Sequence, residues 1–344
     1  MIDGDDLALL ASSFEAAMLQ APGAAAVDAM LHELGWADLL AVAALQGAAA
    51  AFTKLGTTGS AACLLDDVLA SALGVEAGPT VCVVLPPPHR WEPAGQRLSL
   101  GNDSGIRVDG LVSARIDIAT LVVVPVYDSG SATFVEVDAA QLRDSGSVSV
   151  ASSSASAAAS SALDPMGPFR RVQVDVADNG SALAVSGTWE EAVRDARAAL
   201  AQQLIGASRA MLIHAREHAL GRVQFGRPIA SFQAVRHRLA DVLVAIESAA
   251  AVADACIADE RDPLLAALAK SLAGKAARIT ASNVQQVLAG IGFTTDHPFH
   301  LSLKRTMVID TLFGSARSLP PEIGRQLLAQ GGAPRLVKPP STPT

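Results

Sequence analysis

Gly221-Arg-Val-Gln-Phe-Gly-Arg-Pro-Ile-Ala-Ser-Phe-Gln-Ala-Val-Arg-His-Arg-Leu-Ala-Asp241 is the stretch on which the reading of this chain turns. Gly226 and Pro228 interrupt helix between two long apolar stripes, so the chain makes a corner here. Arg222 and Arg227 flank the corner, and the next helix begins near Ser231. Arginines beside free backbone N–H groups suit a diphosphate. Taken alone, the same residues also fit an ordinary helix–helix turn with solvated arginines.

Outward from the corner, the flanking segments are helical. On its N-terminal side Val193, Ala196, Leu200, Leu204, Ala207 and Met211 form one stripe. On its C-terminal side Phe232, Val235, Leu239, Val242, Ile246, Ala249, Ala253 and Cys256 alternate steps of three and four. A third helix is predicted from Asp262 as N-cap and Pro263 at the first helical position, burying Leu268, Leu272, Ala276 and Ile279. Three long antiparallel helices, with a last one over 322–328, make a four-helix bundle spanning 188–330. Upstream, short β-branched runs at Thr80–Leu85, Arg97–Leu100, Thr120–Val126, Thr133–Val137 and Val172–Val176 predict an antiparallel β domain over 77–187. Its Ser/Ala-rich stretch 145–162 reads as a loop. Residues 1–76 read as an N-terminal helical domain, with Leu7, Leu10, Phe14 and Met18 on one face. The proline-bearing tail 331–344 is expected to be disordered. The fold class is therefore α+β, mainly α.

Composition narrows the function. A net charge of −8 argues against a surface that tracks nucleic-acid phosphates. Hydrophobic residues make up 50% of the chain but aromatics only 4%, so Ala-rich helices must pack closely. Apolar stretches such as Leu39–Phe52 read as too short and too Ala-rich to span a bilayer. The acidic start MIDGDD lacks the basic region of a signal peptide. Cys63, Cys82 and Cys256 form no CxxC pair and no zinc spacing, so a reduced, cytoplasmic setting is expected. His214 and His218 have an i, i+4 spacing that can hold zinc, but no third ligand accompanies them, and no metal is expected. His237, within Arg236-His-Arg238, reads as a solvated basic face, with a ligand phosphate contact as the alternative.

The corner, R-x-Q-F-G-x-P-I-x-x-F-Q-x-V-x-x-x-L-A-D, resembles the helix-corner signature of acyl-CoA dehydrogenases nearly position for position. A second segment, Gln286-Val-Leu-Ala-Gly-Ile-Gly-Phe-Thr-Thr-Asp-His-Pro298 with Arg305 after it, resembles that family's Q-x-x-G-G-x-G-[YF]-T-x-E-x-P stretch. Glu33-Leu-Gly-Trp36 is a weaker echo, and the close match covers about residues 188–315. The resemblance implies an acyl-CoA dehydrogenase fold and FAD-dependent α,β-dehydrogenation of an acyl-CoA thioester. It implies that Arg222, Gln224, Phe225, Gln233, Gln286 and Gly290 reach the FAD of a neighbouring chain. Electron-transfer flavoprotein or a similar acceptor is the implied electron partner. Ala289 replaces the first glycine of the family's pair.

Other family features are missing. The family's base lies either in a Y-E-G after the trailing arginine or on the helix entering the corner. Phe313 and Ala196 occupy those positions here. Asp195 is the nearest carboxylate to Ala196, but one helical residue turns about 100°, so it should face elsewhere. Asp296, beside His297, is the remaining candidate base. The loops that hold a chain's own flavin are altered at Val81–Pro93 and Val108–Ala114, and Ser113 reads as a strand residue rather than a flavin donor. The pattern resembles the short subunit of heteromeric actinobacterial acyl-CoA dehydrogenases of steroid catabolism, in which a larger sister chain carries the base and the assembly is a heterotetramer. A self-sufficient homo-oligomer using Asp296, and a non-catalytic scaffold of the same fold, are the alternatives.

Overall fold

The computed structural model describes residues 4–100, 103–128, 130–143, 167–178, 181–258 and 262–331. The stretch 145–162 and the tail beyond residue 331 lie outside them. Four helices come first: α1 (Gly4–Gln20), α2 (Ala24–Glu33), α3 (Trp36–Thr58) and α4 (Leu64–Leu73). Gly35, Gly59 and Gly74 supply the positive φ at their ends. By length and apolarity alone α3 could pass for a membrane span, but its backbone breaks at Ala43 (φ −149°, ψ 66°). Half of its most apolar window is buried, with Leu39, Leu40, Ala48, Phe52 and Leu55 in the core, as in the central helix of a globular fold.

A sheet follows: β1 (Val81–Val83), β2 (Gly95–Leu100), β3 (Asp103–Ser113), β4 (Leu121–Asp128), β5 (Ser131–Glu136) and β6 (Phe169–Ala177). It is mixed, which corrects the antiparallel expectation. β4 lies between β1 and β2 and pairs with both in parallel, while β2–β3, β3–β6 and β4–β5 are antiparallel. Periodicity marks where strands lie but not which distant strand each one meets. The short helix α5 (Ala139–Arg143) follows β5. Alternate residues divide the sheet between two cores. Val81, Val83, Leu85, Leu111 and Val123 face the helices, while Cys82, Val84, Val108, Val122, Val124 and Val126 form a separate β core.

The second helical layer contains α6 (Trp189–Gly221), α7 (Gln233–Ala258), α8 (Pro263–Leu288), α9 (Phe299–Thr311) and α10 (Leu319–Gln330). Thr188 and Glu191 form a capping box at the start of α6, and Asp262 caps α8 ahead of Pro263. Helices α6, α7 and α8 pack side by side, and α10 closes against α8.

One buried ion cluster ties the first helices to the sheet. Arg115, in the turn after β3, makes two bonds to Asp67 of α4, at 2.6 and 2.7 Å, and one to Asp28 of α2 at 3.2 Å. Trp36 donates to Asp67 at 2.9 Å. Asp66 accepts from the Val83 N–H at 2.8 Å but has no cation of its own, and burial pushes its carboxyl up to about 7. Because the folded chain holds this proton more tightly than the unfolded one, stability from Asp66 falls as pH rises from its ordinary 3.8 to about 7. Asp66→Asn keeps an acceptor for Val83 and cannot ionise. Urea denaturation should show this variant gaining on the wild type between those two pH values, with a constant difference above them.

Candidate functional site

Helix α6 runs past the core and ends in the corner. Two-residue strands, Val223–Gln224 and Arg227–Pro228, pair there as a hairpin. Its central residues Phe225 and Gly226 have φ of 54° and 78°, the signature of a type I′ turn. The Ile229 N–H donates to the Arg222 carbonyl at 2.9 Å and closes the hairpin base. Arg222, Gln224 and Gln233 are exposed, and Phe225 is 92% exposed at the tip. Its ring meets Phe232 edge-on, with centroids 6.1 Å apart, and the Arg227 guanidinium lies over the same Phe232 ring at 4.4 Å.

The second segment ends α8. Gln286 is exposed on the last turn, and a 3₁₀ turn over Ala289–Phe293 follows. Gly290 has open space where a side chain would stand. A small core joins the two segments, in which Met211, Ala215 and Ala219 of α6 pack with Val284, Val287, Leu288 and Phe299. Ile229, Ala230, Val235 and Leu239 cover this core from the corner side. A bond from Arg238 to Asn283 at 3.1 Å ties α7 to α8 beside it. The six residues singled out as flavin contacts therefore stand at one end of the bundle, all exposed.

The two positions where the family keeps its base lie elsewhere and are closed. Ala196 is 0% and Phe313 1% exposed. Arg197 donates to the Phe313 carbonyl at 3.0 Å and stacks on Trp91, 5.1 Å from its ring centre. Lys270, fully buried, donates to the carbonyls of Asp310 and Gly314 at 3.0 and 3.1 Å. Trp189 packs on Phe313, with centroids 6.0 Å apart. Burial lowers the Arg197 guanidinium to about 10 and the Lys270 amine to about 8, the latter opposed by Asp310. Two cations thus hold the 310–314 loop shut through its carbonyls. Neither cation was singled out from sequence, although Lys270 does interrupt an otherwise apolar stripe.

Asp195 is buried and bonded to Arg194 at 2.7 Å, so it offers no free carboxylate at the Ala196 position. Asp296 is exposed on the turn beside His297. Ser113 is fully buried and caps the turn that carries Arg115, so it stands clear of any ligand. A cavity of about 180 Å³ between α1, α2 and α9 is lined by Met18, Val27, Ser60, Leu301 and Arg305. That is below the roughly 300–1,000 Å³ of ordinary ligand pockets.

Ala289, where the family motif has a glycine, has φ 53° and ψ −131°, a region that favours glycine. A Cβ in that region costs about 1–3 kcal/mol. Ala289→Gly should therefore raise the unfolding free energy by about 1 kcal/mol, the chain entropy of glycine offsetting part of the relief. A thermal melt that shows no gain would mean that the strain is absent.

Residues 188–328 match the family model described as "Acyl-CoA dehydrogenase, C-terminal domain". Among curated proteins, the acyl-CoA dehydrogenase IpdE2 of Mycobacterium tuberculosis is 44% identical over 131 residues. That match covers 37% of this chain and 39% of IpdE2, so the similarity spans about two fifths of the relative's length. One chain of the ChsE4-ChsE5 complex from Mycobacterium tuberculosis superposes with a TM-score of 0.70 at 20% identity, covering 97% of this chain and 99% of that one. The Tcur3481-Tcur3483 steroid ACAD variant gives 0.72 at 21% identity, covering 95% and 99%. A glutaryl-CoA dehydrogenase from Mycobacterium smegmatis in complex with FADH2 gives 0.73 at 14%, covering 95% of each. The described chain thus has the fold of the acyl-CoA dehydrogenases, and its residues 188–328 match the model of their C-terminal domain.

Proposed function

We propose that this chain is the flavin-supporting subunit of a hetero-oligomeric acyl-CoA dehydrogenase whose larger sister chain carries the base. One contrast carries the reading. Both base positions, Ala196 and Phe313, are sealed, while both segments that resemble flavin contacts stand exposed at one end of the bundle. The names of the ChsE4-ChsE5 complex and the Tcur3481-Tcur3483 steroid enzyme support a two-chain assembly and a steroid-derived acyl group.

The residues present fit one half of FAD. Arg222 supplies a guanidinium for a diphosphate, Gln224, Gln233 and Gln286 supply amides, and Gly290 leaves its backbone open to close approach. The ring half does not fit within this chain, because the loops at Val81–Pro93 and Val108–Ala114 lack the family's motifs and Ser113 is committed to its cap. FAD, where bound, would supply the hydride acceptor for the thioester's β-carbon. This chain's part is to hold and orient the dinucleotide across the interface with its exposed amide and guanidinium groups. Removal of the α-proton falls to a carboxylate of the sister chain. Electrons then pass to electron-transfer flavoprotein or a similar acceptor.

Co-expression with the sister chain tests the assignment. Arg222→Ala with Gln286→Ala should leave the purified complex assembled but with less than about a tenth of its flavin absorbance, the loss expected where charge-assisted bonds of about 1.5–3 kcal/mol are removed. An unchanged flavin content would make those residues structural. Asp296→Asn separates this reading from the self-sufficient one. Dehydrogenation by the complex should stay within about twofold, whereas loss of a true base costs on the order of a hundredfold or more.

A further inference from the structure

Between the corner and the second segment lies a cluster that the chain assembles from two distant stretches. His214 and His218 stand on the last two turns of α6, and His297 and His300 stand at the start of α9. The His214 and His297 rings meet edge to face, with centroids 5.6 Å apart. His297 accepts the Phe299 N–H on Nδ1 at 3.1 Å, which places its ring proton on Nε2. His300 uses Nδ1 to donate to the His297 carbonyl at 2.8 Å, so its Nε2 is an acceptor while the ring is neutral. All four rings are partly exposed, at the same end of the bundle as Arg222 and Gly290.

The charges acting on His297 are the three other histidines, and the charge acting on His218 is Arg222. Around them, α6 also carries Glu217, the turn carries Asp296 and α9 carries Lys304. Arg238 of α7 is bonded to Asn283, and the last two turns of α8 contain no charged residue. Neither Glu217 nor Asp296 is among the groups that act on His297. Burial first, and then the neighbouring histidines, hold the His297 ring below its ordinary value. A ring held low by burial and by neighbouring positive charge binds its proton more readily once an anion supplies counter-charge.

We propose that His214, His218, His297 and His300, together with Arg222, form a proton-coupled subsite for the diphosphate of the bound dinucleotide. The inference rests on the flavin-interface reading above and goes beyond it by assigning a role to these four residues. A diphosphate beside the cluster favours the imidazolium forms, so binding draws protons from solvent onto the rings. By linkage, affinity for the dinucleotide then rises as pH falls. One proton taken up per flavin gives up to about tenfold per pH unit.

The test uses the assembled complex, stripped of flavin and titrated calorimetrically with FAD at pH 6.5 and 7.5. Each titration is run in two buffers of different ionisation enthalpy. The expected result is binding about three- to tenfold tighter at the lower pH, with net proton uptake. Replacing His214 and His297 by glutamine should abolish both effects, while Arg222→Ala weakens binding at both pH values. If the unmodified complex takes up no protons, the inference is overturned without recourse to any variant. If Arg222→Ala weakens binding but the histidine variant keeps the pH response, the cluster is structural and the interface reading survives. If neither variant changes FAD affinity, the interface reading itself fails.

Discussion

Helices α3 and α6 touch backbone to backbone, and the rest of the molecule is arranged around that contact. A Cβ on Gly56 would overlap the Gln203 carbonyl, and one on Gly206 would overlap the Thr53 carbonyl. Each glycine therefore sits where only hydrogen fits. Around the crossing, Ala48, Ala51, Ala199 and Ala207 extend the seam of small side chains. This explains a composition rich in alanine and poor in aromatics: two helices that close need small residues on both sides, and the buried area comes from many small contacts. The same seam fixes the axis of α6, which leads from the sealed loop to the exposed corner.

The two ends of α6 then meet opposite conditions. At its buried end Arg197 works with Lys270 to close the 310–314 loop, although neither has an acid in direct contact and the nearest, Asp310, stands 3.9 Å from Lys270. Buried cations without close partners are costly. They are tolerated because the loop turns its carbonyls toward them, Phe313 and Gly314 adopting φ of 54° and 93°. The space at this end is filled. At the far end the helix leaves the core, and its last turns display histidines and an arginine. The division parallels the sequence, where Ala196 and Phe313 are apolar and buried while Arg222, Gln224, Gln233 and Gln286 are polar and exposed.

The long helices were legible because they state their period repeatedly, and the start of α8 because Asp262-Pro263 names it twice. The corner was legible for a different reason: Gly226 and Pro228 interrupt the pattern at a fixed place. Features that depend on chain segments meeting were not. The insertion of β4 between β1 and β2 leaves no local trace. Strand β3 was read only at its end, where Ser113 looked like a strand residue, because Asp103, Ser104, Gly105, Asp109 and Gly110 are poor strand formers that pairing with β2 and β6 holds extended. Asp28, Asp66 and Asp67 look like surface acids until Arg115 arrives from the sheet. His214 and His218 likewise gave no sign that His297 and His300 would join them from the far side of α7 and α8.

Two phenylalanines in this chain occupy the left-handed region, which costs a bulky residue about 1–2 kcal/mol. Their surroundings differ. Phe313 is buried against Trp189, and its carbonyl is held by Arg197, so packing and a charged hydrogen bond offset the strain. Phe225 has only the edge of Phe232 and is otherwise bare. A type I′ turn ordinarily takes Asn or Asp ahead of glycine, and both would relieve the strain while removing an exposed ring from water. Within the chain nothing balances the choice of phenylalanine. In the proposed complex, a surface that covers the ring would supply the balance. An aromatic at the tip of a rigid two-residue hairpin reaches such a surface with little loss of conformational freedom.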